Sequence, residues 1–361
     1  MEILTSPKDS IINVVRSVAD KMESDFYLRL LALRNTLTVP ININTLTFKI
    51  MSQGKNIKEI TYREDILADR VKSGIEELNC YRENIISECI GMEKFWNDSN
   101  IATSTTIESG KLFVFMGEHF KLLNETMVDE LIISITYVEN ETEKVLNYKM
   151  PVIEYKNKNK YIFPVKGTWI ATDIYSTIDS HRWCYNSEFA FDLGQLDDNL
   201  LFINKDYMNN VDFAHYGKKV VAIADGEVVD CFARFPEHSL GYPNKMSKEE
   251  YDKLEEKYGP IARTCGNYVI IKHLYDEYSV YCHMIPESLT VNIGDRVEQG
   301  QVIGKIGNSG NSICPHLHFH LMDGKDILSA RGLPCYFTNI KNIFNQYIDL
   351  PDEDGMIIIT E

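Results

Sequence analysis

Asn308-Ser-Gly-Asn-Ser-Ile-Cys-Pro-His-Leu-His-Phe-His320 is the stretch that decides how this chain is read. Three histidines, His316, His318 and His320, alternate with Leu317 and Phe319 just after a turn rich in Gly and Asn. In a β-strand, successive side chains point to opposite faces. The three imidazoles then share one face, while Leu317, Phe319 and Leu321 point into a core on the other. A row of imidazoles above an apolar floor suits metal binding and proton transfer. The competing reading is a polar strand face open to water, and the segments that follow weigh against it.

Working outward, 361 residues are enough for two domains or one large elaborated one. The 53 acidic and 37 basic residues leave a net charge of −16. Residues 1–160 hold 20 basic and 24 acidic groups, and residues 161–361 hold 17 and 29, so the histidine-bearing half carries −12. Phosphates would be repelled by that half, which argues against a nucleic-acid partner and against docking on anionic surfaces by charge alone. Solubility is the simpler meaning of the charge. The eight cysteines include no C-x-x-C pair, so a zinc ribbon is not expected, and thiols kept reduced in a cytosol are. Residues 1–10 carry Glu2, Lys8 and Asp9 with no unbroken apolar run after them, so no signal peptide is recognised. No segment approaches the roughly 20 apolar residues of a membrane span. The expectation is synthesis into the cytosol, without a recognisable export address.

Along the first part, Ile11, Val15, Val18, Met22, Phe26, Leu30 and Leu33 recur at intervals of three or four. That spacing predicts an amphipathic helix ending before Pro40. Residues 45–51 alternate like a strand, 62–96 read as mainly helical, and 111–117, 130–138 and 144–155 read as strands. Residues 1–155 are therefore expected to be an α+β accessory region, and no chemical motif stands in it. From Tyr161 the texture becomes short strands with Gly and Asp turns. An acidic, lysine-rich insertion at 235–263 interrupts it and is expected to be partly helical. The residues after Pro351 are expected to add a strand. The expected organisation is 1–155, 160–340 and a tail at 341–361.

A catalytic zinc takes three protein ligands and leaves one position for water. His318 is one candidate. Phe189-Ala-Phe-Asp-Leu-Gly194 places Asp192 in an apolar strand, where an unpaired charge is costly and a metal would offset it. Ser180-His181-Arg182 supplies another imidazole, weak evidence by itself.

These residues resemble the LytM and lysostaphin-type zinc metallopeptidases, the duplicated hybrid motif endopeptidases that cleave the peptide parts of peptidoglycan. The likeness rests on Val220-Val-Ala-Ile-Ala-Asp-Gly-Glu-Val-Val229, Gly266-Asn-Tyr-Val-Ile-Ile-Lys-His273, Tyr278-Ser-Val-Tyr-Cys-His283, the turns at 294–304 and 307–310, and Pro315-His-Leu-His-Phe319. It covers residues 160–335. The resemblance implies a mostly antiparallel β-sheet forming a groove, with one zinc held by His181, Asp192 and His318. It implies that His283 and His316 are catalytic non-ligand histidines beside the metal, and that the partner is a peptidoglycan peptide. Tyr281, Asn308 and His320 are candidates for supporting a ligand or touching substrate. The chain departs from the common pattern in three ways, one being that members of the family are normally exported and no signal is recognised here; the other two lie in the residues. His181 and Asp192 lie eleven apart rather than four, which requires a bulging loop, and His320 stands where an acidic residue is usual. His215 does not replace His181, because it follows Asp192.

Two other classes fit less of the sequence. A non-haem Fe(II) site also uses two histidines and a carboxylate, but its spacing differs and it leaves His283 without a role. A catalytically silent metal-binding or regulatory module would not need both extra histidines. His119, His215 and His238 read as exposed, and His273 as structural. Trp183 and Tyr185 read as groove-flanking or as ordinary loop packing. The overall fold expectation is α+β: a groove-forming metallopeptidase domain preceded by an accessory region with an N-terminal amphipathic helix.

Overall fold

The computed structural model describes residues 1–361 except 81–88, 98, 178–179, 198–199, 204–205, 243–244 and 361. The chain divides into two compact units, Met1–Tyr155 and Lys156–Glu361. Part of the helix expected over 62–96 lies outside the described residues.

The first unit contains β1 (Glu2–Ser6), β2 (Ile11–Val18), β3 (Lys21–Arg34), β4 (Ile41–Ser52), β5 (Lys55–Arg63), α1 (Glu64–Cys80), β6 (Thr106–Ile107), β7 (Leu112–Asn124), β8 (Glu130–Glu139) and β9 (Thr142–Glu154). Its nine-stranded sheet runs β1-β3-β2-β9-β8-β4-β5, with β7 on β3 and β6 on β4. Leu67 and Val71 of α1, one turn apart, join Phe48, Phe113, Phe115 and Phe120 in one apolar core.

The N-terminal amphipathic helix is not what forms. Ile11–Val18 and Lys21–Arg34 make an antiparallel hairpin, with Val18 opposite Lys21 and Asn13 opposite Phe26. The physical reason lies in β3, where Phe26 to Leu33 are all buried, including the residues between the helical positions. A strand covered on both faces reads as a nearly continuous apolar run, and every third or fourth member of such a run mimics a helical stripe. The β-branched Ile11, Ile12, Val14 and Val15 favour the extended form.

The second unit contains β10 (Gly167–Thr172), β11 (Phe191–Gly194), β12 (Lys219–Val221), β13 (Gly226–Phe232), β14 (Asn267–Lys272), β15 (Tyr278–Met284), β16 (Arg296–Val297), β17 (Val302–Lys305), β18 (Leu317–Met322), β19 (Gly332–Leu333), β20 (Ile340–Lys341), β21 (Tyr347–Ile348) and β22 (Met356–Thr360). Its main sheet runs β16-β13-β14-β15-β18-β11-β10-β22-β20-β21, with β19 on β18 and a separate β12-β17 pair. The terminal β22 pairs antiparallel with both β10 and β20, so the last residues are part of this sheet.

Alternation along β18 sorts its two faces. Phe319 packs against Phe191 and Tyr281, with ring centroids 5.3 Å apart in each case, and Phe337 and Phe163 complete that floor. On the opposite face, Met322 joins an apolar cluster with Ile270, Val280, Cys282 and Phe235. Two helices of the 235–263 insertion, Lys248–Tyr258 and Pro260–Cys265, lie on this side and contribute Ala262 and Cys265 to the cluster. Ser247 starts the longer helix with a capping box to Glu250. The histidine face is therefore polar at one end and roofed by apolar side chains at the other.

Candidate metal centre

Asp192 and His318 are cross-strand partners in the antiparallel β11–β18 pair, so their side chains stand on one face as neighbours. His181 enters from a one-turn 3-10 helix, His181–Trp183, whose preceding Ser180 accepts a hydrogen bond from the Arg182 backbone. The three side chains converge. His181 Nε2 and His318 Nδ1 each lie 3.1 Å from Asp192 Oδ1, and 3.3 Å from one another. A tetrahedral ion with arms of about 2.0–2.1 Å spaces its ligands about 3.3 Å apart, so this triangle fits one cation. Among the described residues, this is the group of three or more metal-ligating side chains close enough to share an ion.

Eleven positions separate His181 from Asp192, and the intervening loop is a packed structure. Arg182 and Glu188, both 1% exposed, face one another at 3.6 Å. The Arg182 guanidinium also donates to Tyr175 O at 3.0 Å and lies over the Tyr175 and Phe189 rings. Asn186 donates to Ile327 O, and Gly332 donates to Tyr185 O. Trp183 is 38% exposed at the loop surface.

His316 and His283 flank the triangle. His316 Nε2 is 3.3 Å from Asp192 Oδ2, and the His283 and His316 rings are 4.6 Å apart. Their tautomers follow from their partners, because a carbonyl oxygen only accepts. His283 Nδ1 donates to Ser309 O at 2.8 Å, and His316 Nδ1 donates to Cys314 O at 2.9 Å. In their neutral forms, both therefore carry a bare lone pair at Nε2.

His283 reaches its place through backbone strain. Val269 opposes Tyr281, but Asn267 opposes Met284, so β15 holds one residue more than β14 between these pairs. This bulge places His283 at φ 63, a left-handed conformation uncommon outside glycine. Gly307 N donates to His283 O, and the Asn267 side chain ties Phe235, Met284 and Ser309 together beside it. Gly310 (φ +76) and Gly266 (φ +65) let this loop close, since a Cβ on Gly310 would stand 2.2 Å from Gly266 N.

The electrostatics turn on Asp192. Burial pushes its pKa up, but the charges of His316 and His181 and hydrogen bonds from His181 and His318 outweigh that and hold it well below the carboxylate range. Burial opposes a charge on His181, and Asp192 more than offsets this, raising it. Burial dominates at His318, lowered to about 4, and at His283 and His320, both lowered well below the usual imidazole range. Asp192 thus stands ionised beside His318, His283 and His320, the three imidazoles that burial keeps neutral.

The other sequence candidates fall elsewhere. Tyr281 is fully buried on the Phe319 face, where its hydroxyl accepts from Ile223 N at 3.0 Å, so it touches neither a ligand nor the groove. The bulge is the cause: between Tyr281 and His283 the simple alternation fails. Asn308 is also fully buried and donates to Asn210 Oδ1 and His238 O, bracing the loop. His215 and His238 are buried rather than exposed, at 0% and 8%. His215 accepts from Gln195 N and donates to Pro315 O at 2.6 Å, tying the end of β11 to the turn before His316. His119 is also mostly buried, 2.9 Å from Asp25. His273 bonds Asp225 O and Ser279 Oγ, a structural role. Cys89, Cys184, Cys231, Cys265, Cys282, Cys314 and Cys335 form no disulfide. The supporting roles of Arg182, Glu188 and His215 carried no motif. A charged residue set in an aromatic stretch was the available signal for the first two.

Parts of the chain are similar to known proteins. Residues 207–329 match peptidase family M23. That stretch includes His283, His316, His318 and His320, whereas His181 and Asp192 lie before it. The chain is 32% identical over 96 residues to an uncharacterized metalloprotease of Buchnera aphidicola, covering 27% of this chain and 24% of that protein. It is 40% identical over 57 residues to the peptidoglycan DD-endopeptidase ShyC of Vibrio cholerae, covering 16% of this chain and 13% of that protein. It is 30% identical over 110 residues to the glycyl-glycine endopeptidase ALE-1 of Staphylococcus capitis, covering 30% and 23%. The chain thus spans less than a quarter of the length of each of these relatives.

Proposed function

We propose, from the premise that residues 207–329 are a segment of peptidase family M23, that the second unit is a zinc-dependent endopeptidase acting on peptide bonds of peptidoglycan. The observation that carries this reading is the convergence of His181 Nε2, Asp192 Oδ1 and His318 Nδ1 at spacings of 3.1–3.3 Å, beside two imidazoles with bare Nε2 atoms. Two imidazoles and one carboxylate suit zinc, which when bound polarises a carbonyl and brings the pKa of a water toward about 7.

The chain's own residues supply the rest. His316 Nε2 takes the proton of the attacking water. The resulting imidazolium is held by Asp192 Oδ2, which already lies 3.3 Å away. His283, fixed by Ser309 O, presents a second bare Nε2 next to His316, with the rings 4.6 Å apart. Neither histidine can hydrogen-bond an oxyanion through Nε2 until it has gained a proton. The proton gained from water is therefore the one available to the oxyanion and then to the leaving amine. Relatives named for a DD-bond and for a glycyl-glycine bond point to a stem-peptide or cross-bridge bond as the target.

Digestion of peptidoglycans of defined stem and bridge composition, read by mass spectrometry with and without a chelator, tests this. Chelator-sensitive release of peptide fragments is expected. Absence of products from every wall type, or products indifferent to chelation with no metal in the purified protein, would refute it.

A further inference from the structure

His318 uses both ring nitrogens. Nδ1 faces Asp192 and His181, and Nε2 lies 3.0 Å from His320 Nδ1. A neutral imidazole has one N–H and one lone pair. If Nδ1 supplies the lone pair of a metal ligand, Nε2 must carry the hydrogen, and that hydrogen needs an acceptor. His320 Nδ1 is the group placed to accept it. His320 is 2% exposed and stands opposite Val280, between the open end of the histidine face and the apolar roof of Ile270, Val280 and Met322. Its other nitrogen, Nε2, is buried without a hydrogen-bond partner. Leaving a buried polar atom unpaired destabilises the fold, so an apolar side chain would be the more stable choice here unless Nδ1 had a task.

We propose that His320 is a positioning residue for the metal site: its Nδ1 holds His318 in the tautomer that presents Nδ1 to the cation. This rests on reading His318 as a ligand. It also removes substrate contact as the role of His320, because two percent exposure, beneath the cluster formed with the insertion, leaves no surface for a substrate to touch.

The test compares the full-length wild-type protein with His320→Phe, His320→Asn and His318→Ala, titrating Zn2+ against a chromophoric chelator. Phe keeps a ring but removes the acceptor, while the Asn Oδ1 can stand where Nδ1 stood. Loss of a partner to a metal-bound imidazole typically lowers affinity about 10- to 100-fold. The expected result is one tight site in the wild type, none in His318→Ala, a site weakened to that extent in His320→Phe, and affinity near wild type in His320→Asn. Equal affinity of His320→Phe and wild type, with His318→Ala inactive in binding, would overturn the positioning role while leaving the metal site in place. Unchanged binding by His318→Ala would overturn the metal reading itself. Should His320→Phe fail to fold, 15N spectra of the zinc-loaded wild type decide. Hydrogen on His318 Nε2 supports the inference, and hydrogen on His318 Nδ1 overturns it.

Discussion

Replacing His215 with Gln should flatten the acid sensitivity of the second unit. His215 is fully buried, and that burial pushes its pKa down to about 4. In the unfolded chain its pKa returns to about 6.5. Between these values the unfolded chain binds a proton that the folded protein refuses, so stability rises with pH across this window. The sign is then fixed: stability is complete above about pH 6.5 and is lost as the pH falls toward about 4, where the loss stops. The full loss is about 3 kcal/mol, and lowering the pH from 7 to 5 removes about 2 kcal/mol of it. Other buried histidines add their own terms, so the measurement is a difference between two proteins. Urea unfolding with a chelator present, at pH 7 and 5, would follow Trp169, whose indole lies 6.5 Å from the His215 ring. Trp96 and Trp183 would be replaced by Phe in both proteins. His215→Gln should be less stable than its parent at pH 7, since it loses buried hydrogen bonds. Its further loss on going to pH 5 should be smaller than the parent's by about 2 kcal/mol. Equal losses in the two proteins would refute the claim that His215 is held neutral by burial.

Other outcomes follow from the same geometry. His316→Ala should keep its metal, measured on the purified protein, while turnover of peptidoglycan fragments falls about 10²–10⁴-fold. Arg182→Met should destabilise the second unit by about 3–5 kcal/mol in urea, because the buried Glu188 carboxylate loses its Arg182 counter-charge, and adding Glu188→Leu should recover most of that. Gly310→Ala should be far more damaging than Gly217→Ala in thermal melts. Both glycines have positive φ, but a Cβ at 310 collides with Gly266 N, whereas one at 217 meets nothing within 4 Å. The second change should cost only about 1 kcal/mol.

What was legible in the sequence was whatever the chain encodes within a few residues. The alternation over Leu317–His320 fixes which side chains share a face, and the structure keeps it. The glycines at 266 and 310 are readable as turns, and their mutual approach gives them a reason. What was not legible depends on partners distant in sequence. Arg182 has meaning only beside Glu188 and Tyr175, and His215 only beneath Pro315. The mistaken N-terminal helix has a related cause. Whether Phe26–Leu33 is covered on one face or two is decided by side chains distant in sequence, and periodicity within the segment cannot register that.

The bulge at His283 and the charge state of the site answer one requirement together. A regular β15 would carry Tyr281 and His283 on the same face, and Tyr281 belongs with Phe319 in the core. One extra residue, held at φ 63, sends the imidazole to the other side instead. Strain of this kind costs of order 1–3 kcal/mol and persists only where surrounding contacts over-determine it. Here they do, through Ser309 O on the side chain and Gly307 N on the backbone. What the strain delivers is a lone pair. With His283 and His318 kept neutral by burial and Asp192 ionised, the centre gathers acceptors faster than donors. His316 Nε2, bare in its neutral form, faces a carboxylate oxygen at 3.3 Å, a contact that repels unless a proton or a cation stands between the two. A hydrophobic or purely structural cluster would have no reason to collect such groups. A cation, and a water that gives up its proton, satisfies them all at once.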